Sequence, residues 1–172
     1  IYMNKLDAGK GMYNKNVMDM FDAIDTRLKY QCLSNPGVVI GTSSAAKVKI
    51  TNTTVFLFNG QFGSKATAEV AFTATTHDIT ASATTVQEAM YLLSFSDISG
   101  TPVLTMGEIA TGSGNAVLPE IPAANTPIGA VRVAVAAGST NFDASTDLLS
   151  AGHITDTFYS YGYLSPRFDA IV

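Results

Sequence analysis

Charge is scarce in this sequence: only 14 % of its 172 residues are Asp, Glu, Lys or Arg, against roughly 25 % in an ordinary soluble domain. With 47 % hydrophobic residues, the chain has the apolar content for a core, which argues against disorder. Its length suits one domain rather than two. Tryptophan is absent, so a sugar-binding groove would have only Tyr and Phe to stack against its ligand. Cys32 is the single cysteine, which excludes an intrachain disulfide and a cysteine-rich zinc site. Set in a helical pattern, it reads as a small buried hydrophobe. Apolar runs such as Val55–Phe58 and Val133–Ala137 fall far below the ~20 residues of a membrane helix, so no membrane partner is expected. Residues Ile1 to Lys5 lack the apolar stretch of a secretory signal, so no export signal is expected there. Basic clusters interleaved with aromatics are also missing, and the net charge is -4 with pI ≈ 4.9. Direct nucleic-acid binding is therefore not expected.

The few charges are unevenly placed. Residues 1–65 hold eight basic residues against four acidic ones, a balance of +4, while residues 66–172 hold Arg132 and Arg167 against ten acids, a balance of -8. Such asymmetry points to an N-terminal part that meets a different partner from the rest, or to a scattered solvated charge set.

Residues 1–12, with Gly9 and Gly11, read as an extended arm. From Asn14 to about Leu33, Val17, Phe21, Ile24 and Leu28 recur at 4-3-4 spacing on one helical face. Asn16 followed by Asp19 resembles an N-terminal cap, and Asn35-Pro36-Gly37 ends the helix. That face suits packing on its own domain; it would also suit a coiled-coil seam, although fewer than three heptads are present. Beyond Pro36 the period becomes two. Ala46, Val48 and Ile50 alternate with Lys47, Lys49 and Thr51 as in a half-buried strand. Val55-Phe56-Leu57-Phe58, Asn59-Gly60 and Gln61-Phe62 read as a hairpin with a tight turn. Ala68 to Thr73, Val103 with Thr105, Val131 to Val135, and Ile154 with Phe158 continue the strand texture. Thr85-Val86-Gln87-Glu88 matches a helical capping box, but Met90 to Phe95 followed by Ser99-Gly100-Thr101-Pro102 favours a hairpin strand. Glycines and prolines between Gly112 and Pro127 predict an ordered surface loop. The expected fold is mainly β: an antiparallel β-sandwich or barrel-like domain over residues 36–172, preceded by an arm and one amphipathic helix over residues 1–35.

No catalytic constellation stands out. His77 and His153 are the only histidines; with Asp78 and Asp156 they offer the residues of a His-Asp pairing, but no helical H-x-x-x-H spacing supports a metal site. Gly112-Ser113-Gly114 lacks the surroundings of a nucleophile elbow and reads as a turn. Gly9-Lys10-Gly11 is not a phosphate-binding loop. Asp143, Ser145 and Asp147 alternate like calcium ligands, but Leu148 stands where that loop requires glycine and its distal Glu is missing, so a capped turn is expected. Glu69, Glu88, Glu108 and Glu120 are scattered acids of the kind from which a glycosidase pair is built. No cofactor and no metal are expected. The C-terminal aromatics Phe158, Tyr159, Tyr161, Tyr163 and Phe168 suit either a core or an interface.

Four stretches share a further texture: Thr75-Thr76-His77-Asp78-Ile79, Leu118-Pro119-Glu120-Ile121-Pro122-Ala123, Thr126-Pro127-Ile128-Gly129-Ala130-Val131-Arg132-Val133, and Phe142-Asp143-Ala144-Ser145-Thr146-Asp147-Leu148. With them, the segment Ala66 to Thr155 resembles small virion structural proteins of tailed bacteriophages. The resemblance implies a capsid decoration, cement or head-fibre protein, multimeric and without catalysis, placed in the virion after assembly in the host cytoplasm. Its partners would be copies of itself, as in a trimer, and the major capsid protein or another virion protein. Residues 1–35 would then serve attachment or oligomerisation. Val17, Phe21, Ile24, Leu28, Tyr159, Tyr161 and Tyr163 are the candidate interface residues. A receptor- or carbohydrate-binding module of a phage fibre is the alternative expectation, and an enzyme is the third.

Overall fold

The computed structural model describes residues 21–22, 24–25, 28–41 and 46–161. The described positions between 21 and 29 are helical. Strands follow in chain order: β1 (Gln31–Cys32), β2 (Val38–Ile40), β3 (Lys47–Ile50), β4 (Thr54–Phe58), β5 (Gln61–Lys65), β6 (Ala68–Ala71), β7 (Gln87–Phe95), β8 (Pro102–Met106), β9 (Ala110–Thr111), β10 (Thr126–Val135) and β11 (Ile154–Ser160). They form three antiparallel sheets, ordered β1-β4-β5, β2-β3-β6 and β11-β10-β7-β8, with β9 also pairing β7. None closes into a barrel; the mainly β, sandwich-like architecture is the expected one.

The helix gives way to strand earlier than its apolar spacing predicts. Gln31 and Cys32 leave the helical pattern to pair with Leu57 and Phe56 of β4, a case of tertiary pairing overriding local periodicity. The junction is fixed by two contacts with the β4–β5 hairpin. The Gly60 N–H donates to the Lys29 carbonyl at 3.1 Å, and the Tyr30 ring stands edge-on to Phe58 at 5.4 Å. The β fold therefore begins before residue 36. In the hairpin turn, Asn59 (φ 50°) and Gly60 (φ 76°) adopt the left-handed conformations that their sequence predicts.

Both faces of the five-stranded sheet are covered. On one face Ala89, Tyr91, Leu93 and Phe95 of β7 join Val131, Val133 and Val135 of β10 in the main core. Phe56 from the first sheet and Val48 and Ile50 from the second pack against them, with Phe56 and Phe95 at 4.5 Å between ring centroids. Each such fully buried side chain contributes about 1.5–3 kcal/mol. On the other face a smaller cluster gathers Met90, Leu92, Ala130 and Tyr161 beneath Ala116 and Leu118 of the loop that follows β9. Burial on both sides explains why β7 shows almost no polar alternation. The register of β10 shifts between Pro127 and Gly129. At Gly129 a Cβ would lie 2.6 Å from the Tyr159 carbonyl oxygen and 2.7 Å from Val38 Cγ2, so only glycine fits where β2 meets the shifted strand.

Candidate functional site

The expected interface residues separate into three groups. Val17 and Tyr163 lie outside the described residues, as does the Gly9-Lys10-Gly11 arm. Phe21, Ile24 and Leu28 are 41 %, 43 % and 60 % exposed, so among the described residues these three side chains are left largely uncovered, and Asp25 and Lys29 form an i,i+4 ion pair at 2.5 Å. Tyr159 is exposed on β11, whereas Tyr161 is buried in the second cluster. Tyr161 follows directly on β11, and its N–H donates to the Ile128 carbonyl at 3.0 Å, which continues the β10–β11 pairing by one residue and holds the side chain over the second face of the sheet.

His77 is built into the core packing. The His77 Nδ1 accepts the Thr73 N–H at 2.7 Å, and its carbonyl accepts the buried Tyr91 hydroxyl at 2.7 Å. Its ring lies edge-on to Phe72 and Tyr91 at 5.7 and 5.6 Å. Burial pushes its pKa below the usual value, against the opposing effects of a hydrogen bond to Leu104 and of the Asp78 charge, so neutral imidazole is the form that fits. The Asp78 carboxylate accepts the N–H groups of Thr75 at 2.9 Å and Ala144 at 2.8 Å. His153 Nε2 is 3.9 Å from Asp147, too far for a hydrogen bond.

The Asp143-Ser145-Asp147 stretch forms a capped turn. Asp143 accepts the Ser145 N–H and hydroxyl at 2.9 and 2.6 Å, while Asp147 accepts the Asp143 N–H at 2.7 Å. Among the described residues no group of His, Cys, Asp and Glu side chains is placed to hold a metal ion, and no helix is long and apolar enough to cross a membrane.

The buried charge pair was not apparent from the spacing of residues. Glu88, wholly inaccessible, pairs with Ala134 and so lies diagonally across from Arg132 on the same face of adjacent strands β7 and β10; its Oε2 accepts from Arg132 Nε at 2.8 Å and also from Nη2. Its other oxygen accepts the Ala116 N–H at 2.7 Å. Burial alone would raise the carboxyl's pKa, but the Ala116 and Gly114 amides and the guanidinium together hold it below the usual range. A glycosidase general acid requires the opposite shift. Ser113 accepts from Arg132 Nη2 at 3.3 Å, so the Gly112-Ser113-Gly114 turn belongs to this structural pin. The available signal was Arg132 itself: an arginine inside the apolar run Val131–Ala137 of a two-sided strand needs a carboxylate.

Exposed apolar side chains form the remaining feature. On the outer face of the β1-β4-β5 sheet, Val55 is exposed, Leu57 is half-buried, and Phe62, opposite Leu57, is 76 % exposed. Ile109, Val117 and Ile121 are exposed around the loop after β9. No protein-family model, characterised protein or solved structure matches this chain.

Proposed function

We propose that this chain is a non-enzymatic structural protein of a viral particle, decorating or stabilising a tailed-phage capsid, with residues 1–35 as its attachment or oligomerisation segment. The observation that carries this reading is the solvent-facing apolar row Phe21, Ile24 and Leu28. An amphipathic helical face left in water is a surface for another protein. Two features of the molecule agree with it. The titratable groups with the most suggestive positions, His77, Glu88, Asp143 and Asp147, are engaged in internal hydrogen bonds. The basic excess of residues 1–65 also suits attachment to a partner surface of negative charge.

The test is co-sedimentation of the full chain, and of a chain lacking residues 1–30, with phage particles. Loss of particle association on deletion, with the far-ultraviolet spectrum of the β domain retained, is the expected result. Association unchanged by the deletion overturns the role of the N-terminal segment. Glycan-array binding together with no affinity for capsids overturns the capsid reading in favour of a fibre receptor- or carbohydrate-binding module.

A further inference from the structure

We propose that the free edge of β5 pairs two copies of this chain, antiparallel and about a twofold axis at Gly63. This goes beyond the capsid reading and needs no particle. In the β1-β4-β5 sheet, β5 has β4 as its neighbour on one side and no strand on the other among the described residues. The residues flanking a two-residue hairpin turn exchange both backbone bonds, and the pattern then alternates. Phe58 faces Gln61, Phe56 faces Gly63 and Thr54 faces Lys65, so those β5 residues direct their backbone groups to β4. The N–H and C=O groups of Phe62 and Ser64 consequently point away from the sheet.

Natural edge strands are guarded by proline, bulges, charge or a covering element. The other long edges have such protection. β8 begins with Pro102 and packs beside β6; β11 carries Asp156 and is approached by β2, whose Val38 N–H donates to Ser160; and β6 carries Glu69. β5 has no proline, and its pairing with β4 has no register shift. Its one charged residue, Lys65, runs its stem along Gly100 of the β7–β8 turn.

The occupant is a second copy because the strand complements itself. With the axis at Gly63, Phe62 of each copy faces Ser64 of the other, and all the outward backbone groups of both residues are used. Lys65 then faces neutral Gln61, so no like charges meet across the pair. The two Phe62 rings become diagonal neighbours, roughly 7–8 Å apart at the backbone and within reach of one another. They extend the Val55 and Leu57 row across the axis. On the inner face Gly63 makes room for its own chain's Phe56, whose ring carbons would lie 2.5–2.7 Å from a Cβ there. A twofold pair of this kind closes on itself and gives a dimer rather than a trimer or a fibre.

The experiment is sedimentation equilibrium of the full chain across a hundredfold concentration range, beside Phe62→Lys and Ser64→Pro, with amide hydrogen exchange read at residues 62 and 64. Phe62 is exposed and the Ser64 N–H points outward, so both variants retain the fold, as circular dichroism checks. The expected result is a wild-type mass that doubles with concentration, slowed exchange at the two amides in the doubled species, and monomeric variants. A wild-type chain monomeric throughout overturns the proposal. So does an oligomer that either variant leaves intact, or one in which these two amides exchange as in the monomer.

Discussion

One face of the five-stranded sheet carries Ala89, Tyr91, Leu93 and Phe95 beside Val131, Val133 and Val135, whereas the other carries Glu88, Met90, Leu92 and Ser94 beside Ala130, Arg132 and Ala134. The first face is covered by strands of two further sheets that satisfy most of their backbone groups among themselves and bring large side chains. Among the described residues the second is covered by Tyr161 and by a loop containing Pro119 and Pro122, which offers Ala116 and Leu118 as its apolar contacts. A cover with so little apolar area is located by charge-assisted hydrogen bonds instead. Among the described residues the buried ion pair thus stands on the face with the thinner hydrophobic cover.

Breaking the second face at Glu88 is expected to have the largest effect. Glu88→Leu leaves the partly buried Arg132 without its carboxylate and the Ala116 N–H without its acceptor, a loss of about 3–5 kcal/mol in urea unfolding. Glu88→Leu combined with Arg132→Leu should recover most of it; a double variant as unstable as the single would transfer the cost from the orphaned guanidinium to the Ala116 amide. On the first face the corresponding polar element is the Tyr91 hydroxyl, which donates to the His77 carbonyl. Tyr91→Phe removes that bond and is expected to cost about 1–3 kcal/mol.

The faces also separate by pH. His77 has a lowered folded pKa relative to an ordinary value of 6.5, so below that pH the unfolded chain binds a proton that the folded chain resists. Stability on the first face therefore falls with pH from about 6.5 down to the folded pKa, by at most about 1.4 kcal/mol per pH unit. Glu88 also has a lowered folded pKa, against an ordinary value of 4.5. Its contribution is present above that value and is lost as pH falls through the folded one. Melting temperatures across pH 3–8 should show His77→Gln flattening the upper window alone and Glu88→Leu the lower window alone. A His77→Gln profile that parallels the wild type between 5 and 6.5 would remove His77 from the upper window.

The legibility of the two faces differs for the same reason. Strands with one wet side, such as Lys47–Ile50, alternate in burial and are readable from sequence. The Asn59-Gly60 turn is equally plain, because its positive φ angles demand those residues. β7 is harder: Met90-Tyr91-Leu92-Leu93 is apolar on both sides, so periodicity does not separate strand from helix there. The apolar row Phe21, Ile24 and Leu28 was readable as a helical face, but not whether its own domain would cover it. The Glu88–Arg132 pin was hidden by its sequence separation of 44 residues; the register of β7 on β10 creates it, and spacing alone does not show that register.

The smallest expected effect lies at the rim of the second face. Ser113 accepts from Arg132 Nη2 at 3.3 Å in an exposed turn, while the same guanidinium is already held by Glu88. If the carboxylate locates the loop, Ser113→Ala changes unfolding free energy by less than about 0.5 kcal/mol and leaves exchange of the Ala116 amide unchanged. A loss approaching that of Glu88→Leu, with faster exchange at Ala116, would mean that the turn holds the guanidinium in place and that the second face depends on its rim rather than on its buried carboxylate.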